Sequence, residues 1–164
     1  MKSIKTLLSS PDYSWDEAWI NGVTAAIMTK KLDTTLDTTK AAIDHLTALG
    51  IPNHRVENMV SINKQILAQS TDHLDETINA ISKQIGTGPT LLSFLMTNPV
   101  ILRYGPVDGA PGCFALRRDG KTNAVDETSM AKVVKDAKTD AWHCVYYRRN
   151  VILGTSPISM QMID

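Results

Sequence analysis

The stretch Asn53–Ile85, NHRVENMVSINKQILAQSTDHLDETINAISKQI, runs for thirty-three residues without proline or glycine. Its apolar residues recur at heptad spacing, and the repeat consists of Val60, Leu67, Leu74, Ile78, Ile81 and Ile85. Such spacing is typical of a helix that pairs along one seam. At about 1.5 Å per residue the helix would be roughly 50 Å long, too long for a compact domain of this size to hide. We therefore predict one long, coiled-coil-like helix, with these six residues as oligomerisation positions.

The two halves of this stretch differ in the width of their apolar face. Between Val56 and Leu67 the face is broad, as expected where several helices of the same chain cover it. From Ser70 to Ile85 it narrows to a single stripe. The narrow half suits either a second copy of the chain or a bundle within one chain.

Two helices are predicted before the long one. The first extends to about Lys30, and the second carries apolar residues at coiled-coil-like spacing from Leu32 to Leu49. Gly50 suits the left-handed position that ends a helix, and Pro52 prevents continuation. Residues 1–88 are therefore predicted to form a helical region that mediates self-association.

The segment Gly86–Pro89 breaks the helical pattern and is the predicted internal hinge. Residues 89–164 are predicted to form a small α+β module with antiparallel hairpins. Its predicted elements are a helix at Thr90–Thr97, strands at Val100–Tyr104 and Cys113–Arg118, a turn at Asp119–Gly120, a return strand at Lys121–Val125, a helix that begins at Asp126 or Thr128, a strand at Ala141–Arg148, a turn at Arg149–Asn150 and a strand at Val151–Thr155. The expected fold class is α+β, with an N-terminal helical bundle or hairpin built on one long helix.

Composition excludes several functional classes. The 164 residues carry 17 basic and 17 acidic side chains, so the net charge is zero. A dedicated nucleic-acid binder would be strongly basic. The longest apolar run, Leu91–Met96, is far shorter than a membrane span, and Met1–Leu8 has no apolar core behind it. We expect a protein of the cytoplasm, of a cell or of an infected host cell, with no membrane partner and no cofactor.

The two cysteines, Cys113 and Cys144, are too few for a disulfide scaffold, and we expect reduced thiols over a bridge. Cys113 could act as a thiol nucleophile, with His143 as general base and Asp140, Asp108 or Asp126 orienting the histidine. No metal site is predicted, because His143 and Cys144 are neighbours on a predicted strand and point to opposite faces.

Basic and aromatic residues gather near the tips of the two predicted hairpins. The set comprises Arg103, Tyr104, Arg117, Arg118, Lys121, Tyr147, Arg148 and Arg149. If the tips lie on one side, they form a positive patch that suits phosphates and bases or an acidic protein segment. The alternative is that these charged residues only keep the turns soluble and protect the edges of the sheet.

The favoured hypothesis is a non-enzymatic, self-associating interaction protein. The long helix would supply oligomerisation, and the C-terminal module would bind an acidic protein segment or RNA. By analogy only, viral polymerase cofactors and adaptor proteins combine a helical oligomerisation segment with a small α+β interaction module, which keeps a viral origin open. The alternatives are a thiol hydrolase that uses Cys113 and His143, and a structural or scaffold subunit.

Overall fold

The computed structural model describes residues 2–13, 15–118 and 125–155. The helices, in chain order, are α1 (Lys2–Ser9), α2 (Glu17–Met28), α3 (Leu36–Ala48), α4 (Asn53–Ile62), a first 3₁₀ helix (Lys64–Ala68), α5 (Thr71–Ile85), α6 (Pro89–Thr97) and a second 3₁₀ helix (Pro99–Arg103). The strands are β1 (Tyr104–Pro106), β2 (Cys113–Leu116), β3 (Asp126–Lys135), β4 (Trp142–Arg148) and β5 (Val151–Thr155). The predicted α+β class is confirmed.

The prediction of one long helix at Asn53–Ile85 is wrong. α4 ends at Ile62, a short 3₁₀ helix follows, and α5 begins at Thr71 and is 15 residues long. Asn63 leaves the helical conformation at φ −137° and ψ 87°. Its buried side-chain amide donates to the carbonyl oxygen of Pro99 at 3.0 Å.

A second break follows at Gln69 and Ser70, which are both extended. The Ser70 hydroxyl accepts from the backbone N–H of His73 at 3.1 Å and caps α5. The carbonyl of Leu67, freed from the helical ladder, accepts from the hydroxyl of Thr34 at 2.6 Å. Asn63 and Leu67 thus form hydrogen bonds with residues from elsewhere in the chain, at positions where the predicted helix would have continued.

Other predicted helix ends are confirmed. Gly50 follows α3 with φ 107°, and α5 ends before Gly86, which has φ 91°. α6 begins at Pro89, where the missing N–H of proline costs no helical hydrogen bond.

The five strands form one antiparallel sheet in the order β1-β2-β3-β4-β5. Residues paired across neighbouring strands share a face, so Phe114, Ala131 and Tyr146 form one row, which is fully buried. Cys113, Lys132 and Val145 form the next row, which points to the opposite, more exposed face.

The helix predicted from Asp126 or Thr128 is wrong, because this segment is β3. It pairs with β2 on one side and β4 on the other. Ser129, Ala131 and Val133 are buried and alternate with more exposed residues, which is the period of a half-buried strand. The β-branched residues of this segment favour that outcome.

The remaining predictions for the sheet have different outcomes. Most of the strand predicted at Val100–Tyr104 is a 3₁₀ helix, and β1 begins only at Tyr104. The predicted turn Asp119–Gly120 lies outside the described residues, as does the tail after Thr155. The turn predicted at Arg149–Asn150 is confirmed between β4 and β5.

One hydrophobic core joins the helices and the sheet. It includes Leu46 of α3, Leu74 of α5, Leu95 of α6 and Phe114 of β2. The core therefore continues across residues 88 and 89, where the sequence predicts the division into two regions. None of the described helices has the length and apolarity that a membrane crossing requires.

Candidate functional site

The residues predicted to mediate oligomerisation lie inside the chain's own core. Five of them are buried, namely Val60, Leu67, Leu74, Ile78 and Ile81. Ile85 is half-buried and packs against the same core. In this fold most of the seam is covered by the chain itself.

Arg117 does not lie at an exposed hairpin tip as predicted, because its side chain is only 2% exposed. Its Nη1 donates to the Thr77 hydroxyl at 3.0 Å and to the carbonyl oxygens of His73 and Tyr104, both at 3.2 Å. Its Nη2 lies 3.4 Å from Oε2 of Glu76. Arg117 therefore ties α5 to β1.

The guanidinium of Arg117 also explains Gly105. A Cβ at Gly105 would lie 2.8 Å from Nη2 of Arg117, so a larger residue there would displace the guanidinium. Burial lowers the pKa of Arg117, and the nearby Glu76 carboxylate partly opposes this effect.

Other residues predicted for the basic patch are buried or already paired, so they do not contribute to it. Arg103 and Tyr104 are buried, and the Tyr104 ring packs against Tyr146 at 5.7 Å between centroids. Arg118 is exposed, but its Nε donates to Oδ2 of Asp126 at 3.0 Å. Lys121 lies outside the described residues. Of the predicted set, Tyr147, Arg148 and Arg149 remain together at an exposed site.

This remaining site is the hairpin of β4 and β5. Arg148 and Arg149 are exposed, and Nζ of Lys132 lies 5.4 Å from the centroid of the half-buried Tyr147 ring. Arg149 and Asn150 form the turn with φ 50° and 66°. Two successive positive φ values are typical of a type I′ hairpin turn. The backbone N–H of Arg149 donates to the Thr128 carbonyl at 2.7 Å, which holds the turn against β3.

β5 lies at one edge of the sheet, and sequence reasoning did not single it out as a site. Its Val151 and Ile152 are 64% and 63% exposed. In a two-residue hairpin the residues that flank the turn form a hydrogen-bonded pair, so the N–H and C=O of Ile152 point away from β4. No other described strand lies on this side of β5. The run Val151-Ile152-Leu153 was visible in the sequence, but its edge position depends on strand order.

The predicted catalytic pair is not assembled. Cys113 lies opposite Lys132 on β3, whereas His143 lies two strands away, opposite Val134. With strands about 4.8 Å apart and about 3.4 Å per residue, their Cα atoms are roughly 12 Å apart. Side chains that stand perpendicular to the sheet cannot form a hydrogen bond over that distance. Asp140 instead lies 3.3 Å from Nζ of Lys135.

Cys113 and Cys144 form no disulfide and lie on opposite faces of the sheet. Among the described residues, no cluster of His, Cys, Asp and Glu is placed to hold a metal ion.

Comparison with protein-family models, with curated proteins and with solved structures finds no match for this chain.

Proposed function

We propose that the protein is a non-enzymatic binding module that takes an extended, acidic segment of a partner protein as an additional strand on β5. The observation that carries the proposal is the outer edge of β5, where two large aliphatic side chains are mostly exposed beside two exposed arginines. Exposed apolar edge strands invite pairing with another chain, and natural proteins usually protect them. Strand addition uses such an edge for affinity and alternate side chains for specificity.

Charge supports an acidic partner. The segment Trp142–Thr155, which forms β4, the turn and β5, contains Arg148 and Arg149 and no acidic residue. Within the described part of the chain, no carboxylate lies in ion-pair distance of either arginine. A partner carboxylate near the turn would gain charge-assisted hydrogen bonds from them.

The backbone at Arg149 supports a functional role for the turn. Arginine rarely adopts a positive φ, and glycine or asparagine would be accommodated at lower energy. Strained backbone of this kind is concentrated at binding and catalytic sites.

A protein strand fits these observations better than RNA. Arg103 and Arg117 are buried and Arg118 is paired with Asp126, so these three arginines of the predicted patch are not available to phosphates. Nucleic-acid affinity depends on neutralising many phosphates. The apolar side chains of Val151 and Ile152 suit a peptide strand instead.

The test is a selection of random peptides on the intact chain, followed by affinity measurements with the selected peptides. We expect acidic sequences that alternate with β-branched residues. Ile152→Pro removes an outward-pointing N–H and should abolish binding, whereas Ile152→Thr keeps that N–H and should retain part of it. The double variant Arg148→Glu, Arg149→Glu should weaken binding strongly.

Three results would overturn the proposal. They are selected peptides that lack acidic residues, equal binding by the Ile152→Pro and Ile152→Thr variants, and tight binding of single-stranded RNA that depends on Arg148 and Arg149. Sedimentation of the intact chain addresses self-association. A dimer that dissociates in Ile152→Pro would identify a second copy as the occupant in place of an acidic partner.

A further inference from the structure

A second surface, separate from β5, is a cleft of about 480 Å³ between α5 and the loop that joins β1 to β2. Its volume lies in the range of small-molecule sites. Polar residues on its walls include Glu76, Asn79, Lys83, Gln84 and Asp108. Apolar contacts come from Ala80, Pro106 and Val107.

The cleft exists because a small residue, Ala80, lies at the centre of one face of α5. Glu76, Ala80 and Lys83 are spaced four and three residues apart, so they follow one another along the helix. Ala80 has no side chain beyond Cβ and leaves a depression between the two charged residues. Seven residues separate Glu76 from Lys83, which corresponds to about 10 Å along the helix.

The opposite wall is a loop closed by its own backbone. The N–H of Val107 donates to the carbonyl of Cys113, and the N–H of Cys113 donates to the carbonyl of Ala110, both at 3.0 Å. Gly112 has φ 79°, and a Cβ there would lie 3.4 Å from Oε1 of Gln84. That distance is an ordinary van der Waals contact, so it is the positive φ of Gly112 that favours glycine at this corner of the loop.

The cleft is thus braced at both ends. At one end Gln84 lies against Gly112, and at the other Arg117 joins Glu76 and Thr77 of α5 to β1. These ties hold the two walls at a fixed separation. A ligand would not have to order them on binding, which lowers the entropic cost.

We propose that this cleft binds a small zwitterion of the free-dipeptide class, with its ammonium group at Glu76 and its carboxylate at Lys83. Glu76 and Lys83 carry opposite charges about two turns apart on one wall of the cleft, so a ligand with an ammonium group at one end and a carboxylate at the other can form a charge-assisted hydrogen bond with each. An extended dipeptide has this arrangement of charges, and its two residues span at most about 7 Å. Asp108 adds a second carboxylate to the rim, and the apolar lining accepts an aliphatic side chain.

The experiment titrates the intact chain with glycylvaline and follows backbone amide resonances by NMR. We expect saturable shifts in α5 and in residues 107–113.

Variants and ligand analogues make the test specific. Ala80→Leu fills the depression and should abolish binding, whereas Ala41→Leu, at an exposed alanine of α3, should leave it unchanged. Lys83→Gln, or amidation of the dipeptide, should weaken binding about tenfold, the effect expected for one charge-assisted hydrogen bond. Acetylation of the dipeptide's amino group should weaken binding to a similar extent, because it removes the charge that pairs with Glu76.

No saturation at about 10 mM glycylvaline, weaker than most specific small-ligand sites, would overturn the proposal. So would full binding by Ala80→Leu, or equal affinity for the free and the doubly blocked dipeptide. None of these variants touches β5, so the outcome is independent of the strand-addition proposal.

Discussion

Nη1 of Arg117 lies 3.0 Å from the hydroxyl oxygen of Thr77, inside the protein and between α5 and β1. An arginine that the sequence predicts at a surface tip is therefore a connection between helix and sheet. The same guanidinium reaches the carbonyl of Tyr104 and the carboxylate of Glu76. Its removal would leave buried acceptors with fewer partners.

Arg117→Ala should lower the free energy of unfolding by about 3 kcal/mol, because several hydrogen bonds to a charged group are lost in a buried environment. Arg118→Ala is the matched control. It removes an exposed pair with Asp126 and should cost less than about 1 kcal/mol. Urea denaturation of both variants measures the difference, and equal costs would contradict the structural role assigned to Arg117.

Ser70→Ala should destabilise the fold by about 1 kcal/mol, because the hydroxyl that caps α5 at the His73 N–H is lost. Ser70→Asp is the control, since a carboxylate can accept the same hydrogen bond and favours a helix N-terminus. Denaturation midpoints report both effects. If Ser70→Ala is neutral, or raises helix content, the break between the 3₁₀ helix and α5 does not depend on this cap.

Arg149→Gly should raise the free energy of unfolding by about 0.5 kcal/mol, because relief of the positive φ outweighs the entropy cost of glycine. Arg148→Gly should have the opposite sign, since Arg148 lies in an extended strand and glycine weakens strands. Thermal unfolding distinguishes the two. Both variants remove one positive charge, so both should weaken the binding of an acidic strand; tight binding by Arg149→Gly would show that its charge plays no part.

Asp126 should make stability depend on acid pH. Hydrogen bonds from the Thr128 hydroxyl and backbone N–H, and from Arg118, lower its pKa from 3.8 to about 2. Because the pKa is lower in the folded state, the ionised carboxylate stabilises the fold at neutral pH. This contribution is lost as the pH falls from about 3.8 to about 2.

The test compares urea midpoints of the wild type and Asp126→Asn between neutral pH and about pH 2. The variant should lose less stability over this range than the wild type. Thr128→Val, which keeps the backbone N–H but removes the hydroxyl, should be intermediate. An equal loss in all three proteins would assign the acid sensitivity to other carboxylates, such as Asp44 or Asp136, whose pKa values are also lowered.

Sequence reasoning succeeded where local chemistry decides the conformation. Gly50, Gly86 and Pro89 mark helix ends, and Arg149–Asn150 forms a turn. It failed at Asp126–Lys135, where Met130, Val133 and Val134 fit a helical stripe as well as a strand. The deciding factor was pairing with β2 and β4, which are distant in sequence.

The candidate sites also differ in whether local sequence or tertiary packing determines them. Tyr147, Arg148 and Arg149 were predicted, because a charged turn after a strong strand is a local feature. The exposed edge of β5 and the cleft beside α5 were not, because each depends on which elements become neighbours. Ala80 is an unremarkable helical alanine until the loop 107–112 faces it.

The sequence by itself determined the α+β class and most of the positions where helices and strands stop, since glycine, proline and apolar period act within a few residues. The tertiary structure alone decided that Asn53–Ile85 is three helical segments and not one. The reason is energetic competition: a continuous helix satisfies backbone groups locally, but here Asn63 and Leu67 find partners in Pro99 and Thr34. Folding back in this way also buries most of the apolar seam within the chain, whereas Val151 and Ile152 of β5 remain exposed.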